Sequence, residues 1–154
     1  MVEGKLRVFL DSNVLLSGFF SDRGAPRLLL DIFSLRLPVL TASTGAYNVI
    51  EIERNLTSKL PAALPVFQTV LDTLGIEVIP LPQKSDLRRW SGITADKDTP
   101  VLASAFLSKA QVLLTGDKKH LLMAKRPDLP FEILSPAEFV DDFLPRFLKS
   151  SSRS

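Results

Sequence analysis

Hydrophobic residues along the chain fall into short runs separated by longer stretches with a different spacing. Five runs of four or five residues are mostly apolar and end at polar or turn-forming residues, which is typical of buried strands. Between them, apolar residues recur at intervals of three and four, which predicts helices. The predicted strands are Leu6–Leu10, Pro38–Thr41, Ile76–Pro80, Gln111–Thr115 and Phe131–Leu134.

Helices are expected between these strands, and their capping residues help to place them. Asp11-Ser12-Asn13 is expected to form a polar turn, and Ser135 can begin the last helix because Ser135 and Glu138 can satisfy each other's amides. The predicted helices run from about Ala25 to Leu35, Ser43 to Leu56, Pro61 to Gly75 and Asp98 to Ala110, with a short one after Asp117 and the last from Ser135. Strands alternating with helices predict an α/β sandwich, a mostly parallel sheet covered on both faces.

The size of the chain predicts one domain over residues 1–148, followed by a frayed tail over 149–154. Hydrophobic residues make up 45% and charged residues 23%, as in soluble globular proteins. The absence of cysteine excludes disulfide frameworks, cysteine zinc sites and thiol nucleophiles. With neither a signal-like N-terminus nor a long apolar run, we expect a cytoplasmic protein without a membrane partner. A net charge of +2 does not decide whether it binds nucleic acid.

Three aspartates are expected to lie at one edge of the sheet. Asp11 follows the first predicted strand, Asp117 follows the fourth, and Asp98 begins the helix that leads into the fourth. Each could merely form a turn or cap a helix. Two carboxylates about 4 Å apart repel by roughly 4 kcal/mol at an effective dielectric near 20, so a cluster calls for a cation. Oxygen ligands alone favour Mg²⁺ or Mn²⁺, which suit phosphodiester hydrolysis.

Four segments, which begin at Val8, Glu51, Asp98 and Leu113, resemble, in that order, the motifs of the PIN-domain nucleases. The resemblance extends from about Leu6 to Phe139. It implies a three-layer α/β/α sandwich with a five-stranded parallel sheet and Mg²⁺- or Mn²⁺-dependent hydrolysis of single-stranded RNA. The similarity is greatest to the small single-domain toxins of toxin–antitoxin pairs, so it also implies an antitoxin partner, and a homodimer could form. The segments are Val8–Gly18, Glu51–Leu56, Asp98–Ala105 and Leu113–Lys118.

The resemblance also implies roles for individual residues. Asn13 and Thr115 match polar positions that orient the acids. Glu53 competes with Glu51, but only Glu51 has the aliphatic residue and the leucine that follow the glutamate in the family. Asp96 is expected to be an outer or solvated acid. The implied catalytic residues and metal ligands are Asp11, Glu51, Asp98 and Asp117.

Other residues have both a functional and a plain interpretation. Lys118 and Lys119 could grip substrate phosphates, although charge runs are usually solvated. Trp90 could stack on a base or cover the core, and His120 is not needed as a base if a metal activates water. The stripe of Phe139, Phe143 and Phe147 favours core packing over an exposed surface.

Two further interpretations compete with the nuclease. A catalytically inactive PIN-like module could bind RNA or protein, but such a module has no need of four converging carboxylates. A phosphate-transfer receiver domain would require an acidic pair after the first strand and an aspartate after the third. The first strand offers one acid and the third ends at Ile79-Pro80, so the receiver hypothesis is disfavoured.

Overall fold

Five parallel strands form the central sheet of the structure, a computed structural model that describes residues 5–117, 121 and 128–151. The sheet order is β3-β2-β1-β4-β5, and every neighbouring pair is parallel. The number of strands and their direction are as the sequence predicted. The strands are β1 Leu6–Leu10, β2 Leu40–Gly45, β3 Glu77–Ile79, β4 Val112–Leu114 and β5 Glu132–Leu134.

Helices cover both faces of this sheet. Leu6, Val8 and Leu10 of β1 belong to one apolar cluster, whereas Phe9 belongs to another, because successive strand residues face opposite sides. The three-layer sandwich is therefore confirmed. The helices are α1 Ser12–Phe20, α2 Ala25–Ser34, α3 Ala46–Lys59, α4 Leu64–Leu74, α5 Lys84–Trp90, α6 Thr99–Leu107, α7 Pro136–Glu138 and α8 Leu144–Ser151, with 3-10 turns at Pro61–Ala63 and Asp96–Asp98 and a π-helical turn at Phe139–Phe143.

β1 lies in the middle of the sheet, where the order of the strands reverses. It pairs with β2 on one side, with Phe9 opposite Ser43, and with β4 on the other, with Leu10 opposite Leu114. In open parallel sheets, ligands bind beyond the carboxyl ends of the strands at such a reversal. The residues that follow β1 and β4 therefore lie together at the edge where a site is expected.

Two helices were not anticipated from the sequence. α1 begins at Ser12, where a polar turn was expected, because the Asp11 carboxylate accepts a hydrogen bond from the Ser12 amide at 2.8 Å and caps the helix. α5 lies in a stretch that looked merely polar, and a reciprocal pair of hydrogen bonds between Gln83 and Asp86 caps it. Both helices depend on local capping rather than on a long apolar periodicity.

The boundary between β2 and α3 also differs from the expected one. β2 begins at Leu40 and continues to Gly45, through residues that were assigned to the start of the next helix. Ser43 pairs with both β1 and β3, and Thr44 pairs with β3. The Thr44 hydroxyl also donates to the Leu10 carbonyl oxygen at 2.8 Å. Partners distant in sequence thus override the local helical pattern.

The aromatic residues that had two interpretations belong largely to the core. Trp90 is buried and packs against Phe106 and Phe131, so its ring is not presented to a base. Phe139 is fully buried and stacks on Phe143, as core packing of the stripe predicted. The reciprocal cap of Ser135 and Glu138 is formed as expected. No helix in the described part of the chain is long and apolar enough to cross a membrane.

Candidate metal and active site

A pocket of about 240 Å³ opens beyond the carboxyl end of β1. All four acids implied by the sequence line it, although they come from the end of β1, from α3, from the turn before α6 and from the loop after β4. The lining residues are Asp11, Ser12, Asn13, Leu16, Glu51, Ile52, Asn55, Lys97, Asp98 and Asp117.

Asp11 is the most firmly held of the four. Its Oδ1 accepts from the Ser12 amide at 2.8 Å and from Asn48 Nδ2 at 2.9 Å. Its Oδ2 accepts from the Thr115 hydroxyl at 2.7 Å and from Asn13 Nδ2 at 3.3 Å. The side chain is buried, so these donors fix both oxygens before any ligand arrives.

Burial raises the pKa of the Asp11 carboxyl from 3.8 to about 6, because the charged form loses its hydration. The hydrogen bonds from Thr115 and from the Ser12 amide lower this pKa, and the negative charges of Asp98 and Glu51 raise it further. A cation in the pocket would act against both the burial and the repulsion. The electrostatics of Asp11 therefore suit a bound positive ion.

Asn13 and Thr115 lie where the sequence placed them, beside the acids. Asn13 Oδ1 accepts from the Gly116 amide at 2.7 Å, and Thr115 Oγ1 accepts from the Asp117 amide at 3.0 Å. These bonds tie the loop after β4 to the start of α1. The two polar side chains thus connect Asp11 with the segment that carries Asp117.

The structure separates the two glutamates of α3. Glu51 is exposed, lines the pocket, and accepts a hydrogen bond from the Ser12 hydroxyl at 3.0 Å. Glu53 instead accepts from Gln68 Nε2 on α4 at 2.8 Å, outside the pocket. The choice of Glu51 for the candidate site agrees with this placement.

Asp98 is buried at the cap position of α6, but its side chain makes no cap hydrogen bond, contrary to the expectation for a simple helix cap. It lines the pocket, and its Oδ2 lies 3.5 Å from Lys97 Nζ. Asp98, followed by Asp117 and Asp11, raises the pKa of Lys97. Asp96 lines a different cleft, between α5 and α6.

Asp117 is half-buried and lines the pocket. The basic residues after it were the weakest of the predicted substrate contacts. Lys118 and Lys119, together with His120 and the helix expected there, lie outside the described residues.

Sequence reasoning missed Asn48, Ser12 and Lys97. Asn48 is fully buried and donates to Asp11, the Ser12 hydroxyl reaches Glu51, and Lys97 places a positive charge among the acids. One signal for Asn48 was its position three residues before Glu51, since such a pair lies on one face of a helix. Lys97 stands directly before Asp98 and could have been noticed for that reason.

The chemistry of the pocket fits Mg²⁺ or Mn²⁺, because its acids offer hard oxygen ligands and repel one another. The spacing fits less well. Among residues 5–117, 121 and 128–151, no group of three or more histidine and acidic side chains is arranged so that it could hold a metal ion.

Comparisons with known proteins support the fold and go no further. No protein-family model and no curated protein sequence matches the chain. One solved structure that is similar to this chain is the crystal structure of VapBC2 from Rickettsia felis, in which VapBC2 is bound to a DNA fragment from its promoter. A chain of that structure superposes on this one with a TM-score of 0.59. The match is 13% identical and covers 84% of this chain and 98% of that one. At this identity the likeness shows a shared fold, so the predicted PIN-like architecture is confirmed.

Proposed function

We propose that the protein is a Mg²⁺- or Mn²⁺-dependent ribonuclease that hydrolyses phosphodiester bonds of single-stranded RNA. The observation that carries this proposal is the convergence of Asp11, Glu51, Asp98 and Asp117, from four separate segments, on one pocket. Such acids are the oxygen ligands that these ions take. The location of the pocket at the reversal of the strand order also favours a ligand site.

Asp11 would be the first ligand, because its oxygens are already oriented by Asn13, Asn48 and Thr115. Asp98, Asp117 and Glu51 would complete the ligand set from the other sides of the pocket. When bound, the ion lowers the pKa of a water and stabilises charge on the departing oxygen. None of these carboxylates needs to form a covalent bond with the substrate.

Lys97 is placed to take part in substrate binding. Its side chain is mostly exposed while its ammonium reaches the acid pocket. It could contact a phosphate that approaches the ion. Lys118 and Lys119 remain proposed phosphate contacts from the sequence.

The biological role proposed is that of a toxin neutralised by an antitoxin protein, acting in the cytoplasm. It rests on the resemblance of the four motifs to toxin-like PIN domains and on the fold shared with a chain of VapBC2. A homodimer is proposed on the same resemblance. Growth arrest on expression, relieved by co-expression of the neighbouring gene, is the expected result, and growth unaffected by active protein would contradict the role.

Cleavage of a fluorescent single-stranded RNA by the purified protein tests the activity. We expect cleavage with Mn²⁺ or Mg²⁺, none with EDTA, and loss of activity in Asp11→Asn and Asp117→Asn with an unchanged circular dichroism spectrum. The competing proposal is an inactive PIN-like module that binds RNA or protein. RNA or protein binding without cleavage under any metal would establish that competitor instead.

A further inference from the structure

Asn48 is a buried polar residue beside the acid pocket. It lies in the first turn of α3, is 0% exposed, and occupies a position that an apolar side chain could fill. Its Oδ1 has no hydrogen-bond partner among the described residues. Burying an unpaired amide oxygen opposes folding, so stability alone does not account for an asparagine at this position.

The amide nitrogen of Asn48 joins two acids of the pocket. Nδ2 donates to Asp11 Oδ1 at 2.9 Å and to Ser12 Oγ at 2.9 Å. The Ser12 hydroxyl donates in turn to Glu51 Oε1 at 3.0 Å. A continuous chain of hydrogen bonds therefore runs from Asp11, at the end of β1, to Glu51 on α3.

The chemistry of the groups fixes the direction of this chain. A carboxylate can only accept, so the nitrogen of the Asn48 amide must face Asp11. That nitrogen also uses a lone pair of the Ser12 hydroxyl, which leaves the hydroxyl proton for Glu51. Asn48 thus orients one acid directly and the other through Ser12.

Gly45, at the end of β2, leaves the room that Asn48 needs. A Cβ atom at Gly45 would lie 2.9 Å from Asn48 Oδ1 and 2.9 Å from Ser104 Oγ, closer than such atoms can approach. Both of those atoms belong to buried side chains, which have little space to move. A side chain at position 45 would therefore displace the amide from Asp11.

We propose that Asn48 is a positioning residue that couples Asp11 to Glu51 and so sets the affinity of the pocket for a divalent cation. This inference rests on the proposed function, since it assumes that these acids bind a metal. Residues that hold metal ligands in place commonly change metal affinity or activity by roughly 10- to 100-fold when they are replaced.

Three variants test the coupling. Asn48→Leu removes the donor and keeps a buried side chain. Ser12→Ala removes the hydroxyl that links Asn48 to Glu51 and leaves the bond from Asn48 to Asp11. Gly45→Ala displaces the amide without changing it. The matched control is Gln68→Leu, which removes an amide that donates to Glu53 outside the pocket. The measurements are Mn²⁺ affinity by titration calorimetry, thermal unfolding without metal, and kcat and KM for RNA cleavage.

We expect Asn48→Leu to weaken Mn²⁺ binding and lower kcat by roughly tenfold or more, with little change in KM and no loss of thermal stability. Ser12→Ala should show part of the same effect, and the double variant should lose less than the two single effects combined. Because Ser12 is only half-buried, its variant remains informative if Asn48→Leu does not fold.

A purely structural role predicts the opposite result. Lower thermal stability with unchanged Mn²⁺ affinity and kcat in Asn48→Leu and Ser12→Ala would overturn the inference while the nuclease proposal stood. If the unmodified protein neither binds Mn²⁺ nor cleaves RNA, the proposed function fails first and the inference falls with it.

Discussion

The two sides of the acid pocket differ in how firmly they hold their carboxylates. On the side of β1, Asp11 is buried and accepts four hydrogen bonds, from Ser12, Asn13, Asn48 and Thr115. On the solvent side, Glu51 is exposed and Asp117 is half-buried. One side is organised in advance by four donors, whereas Glu51 on the other side is exposed and can adjust. Asp11 is therefore the carboxylate that we propose as the first ligand of a cation.

The largest effect is expected from Asp11→Asn, because it removes the organised ligand. Cleavage of single-stranded RNA should fall by more than roughly 100-fold, since losing a ligand should exceed the usual effect of losing a supporting residue. The measurement is kcat/KM with Mn²⁺ in excess, with circular dichroism to verify folding. Cleavage at an undiminished rate would show that the organised side does not carry the chemistry.

Asp11 should also make the metal-free protein less stable as the pH rises. The folded state binds this proton more tightly than the unfolded chain, with a pKa of about 6 against 3.8. The contribution of Asp11 to the free energy of unfolding should therefore fall between pH 4 and pH 6. Two pKa units correspond to about 3 kcal/mol.

Urea denaturation of the metal-free protein at several pH values between 4 and 7 measures this effect. Asp11→Asn should flatten the profile between pH 4 and pH 6. Saturating Mn²⁺ should restore stability to the unmodified protein at pH 7. If the free energy of unfolding depends on pH in the same way with and without the substitution, Asp11 does not cause the loss of stability.

On the adjustable side, Glu51→Gln and Glu53→Gln form a matched pair on one helix. Glu51→Gln should lower kcat by roughly 10- to 100-fold, because its carboxylate lines the pocket. Glu53→Gln should leave kcat within about twofold, since Glu53 pairs with Gln68 elsewhere. Equal losses in both variants, measured at saturating RNA, would contradict the separation that the structure shows.

The smallest effect is expected from Lys97→Gln. The Lys97 ammonium lies 3.5 Å from Asp98 Oδ2, so it repels an incoming cation. Removing this charge should tighten Mn²⁺ binding by roughly three- to tenfold in titration calorimetry at low salt. The effect is small because the Lys97 side chain is mostly exposed, so that its charge is screened by solvent. Lys59→Gln, at the exposed end of α3, is the control and should leave the affinity unchanged. Weaker binding in Lys97→Gln would mean that the lysine supports the site.

Only some of the residues on the organised side could be predicted from the sequence. The pattern predicted that Asp11 and Asp117 would meet, because strands of one parallel sheet end at the same edge. Asn13 and Thr115 followed from the family resemblance. Asn48 could not be found in this way, since its role depends on a carboxylate 37 positions away in the sequence.

The secondary structure was likewise predicted only in part. The strands and the helices with a clear apolar spacing were predicted, and Gly75 ends α4 in the left-handed conformation that favours glycine. α1 was missed because Asp11 was interpreted only as a turn residue. The Ser43–Gly45 end of β2 was missed because its extended form depends on pairing with β1 and β3.

β4 joins the sheet late in the order of synthesis, although it pairs directly with the first strand. The hydrogen bond from Thr115 to Asp11 closes a loop of 104 residues. A polypeptide that ends before Val112 therefore lacks β4 and the segment after it, which carries Thr115 and Asp117. Because domains fold as units once their segments have emerged, the pocket, and with it the proposed activity, can form only after Asp117 has left the ribosome.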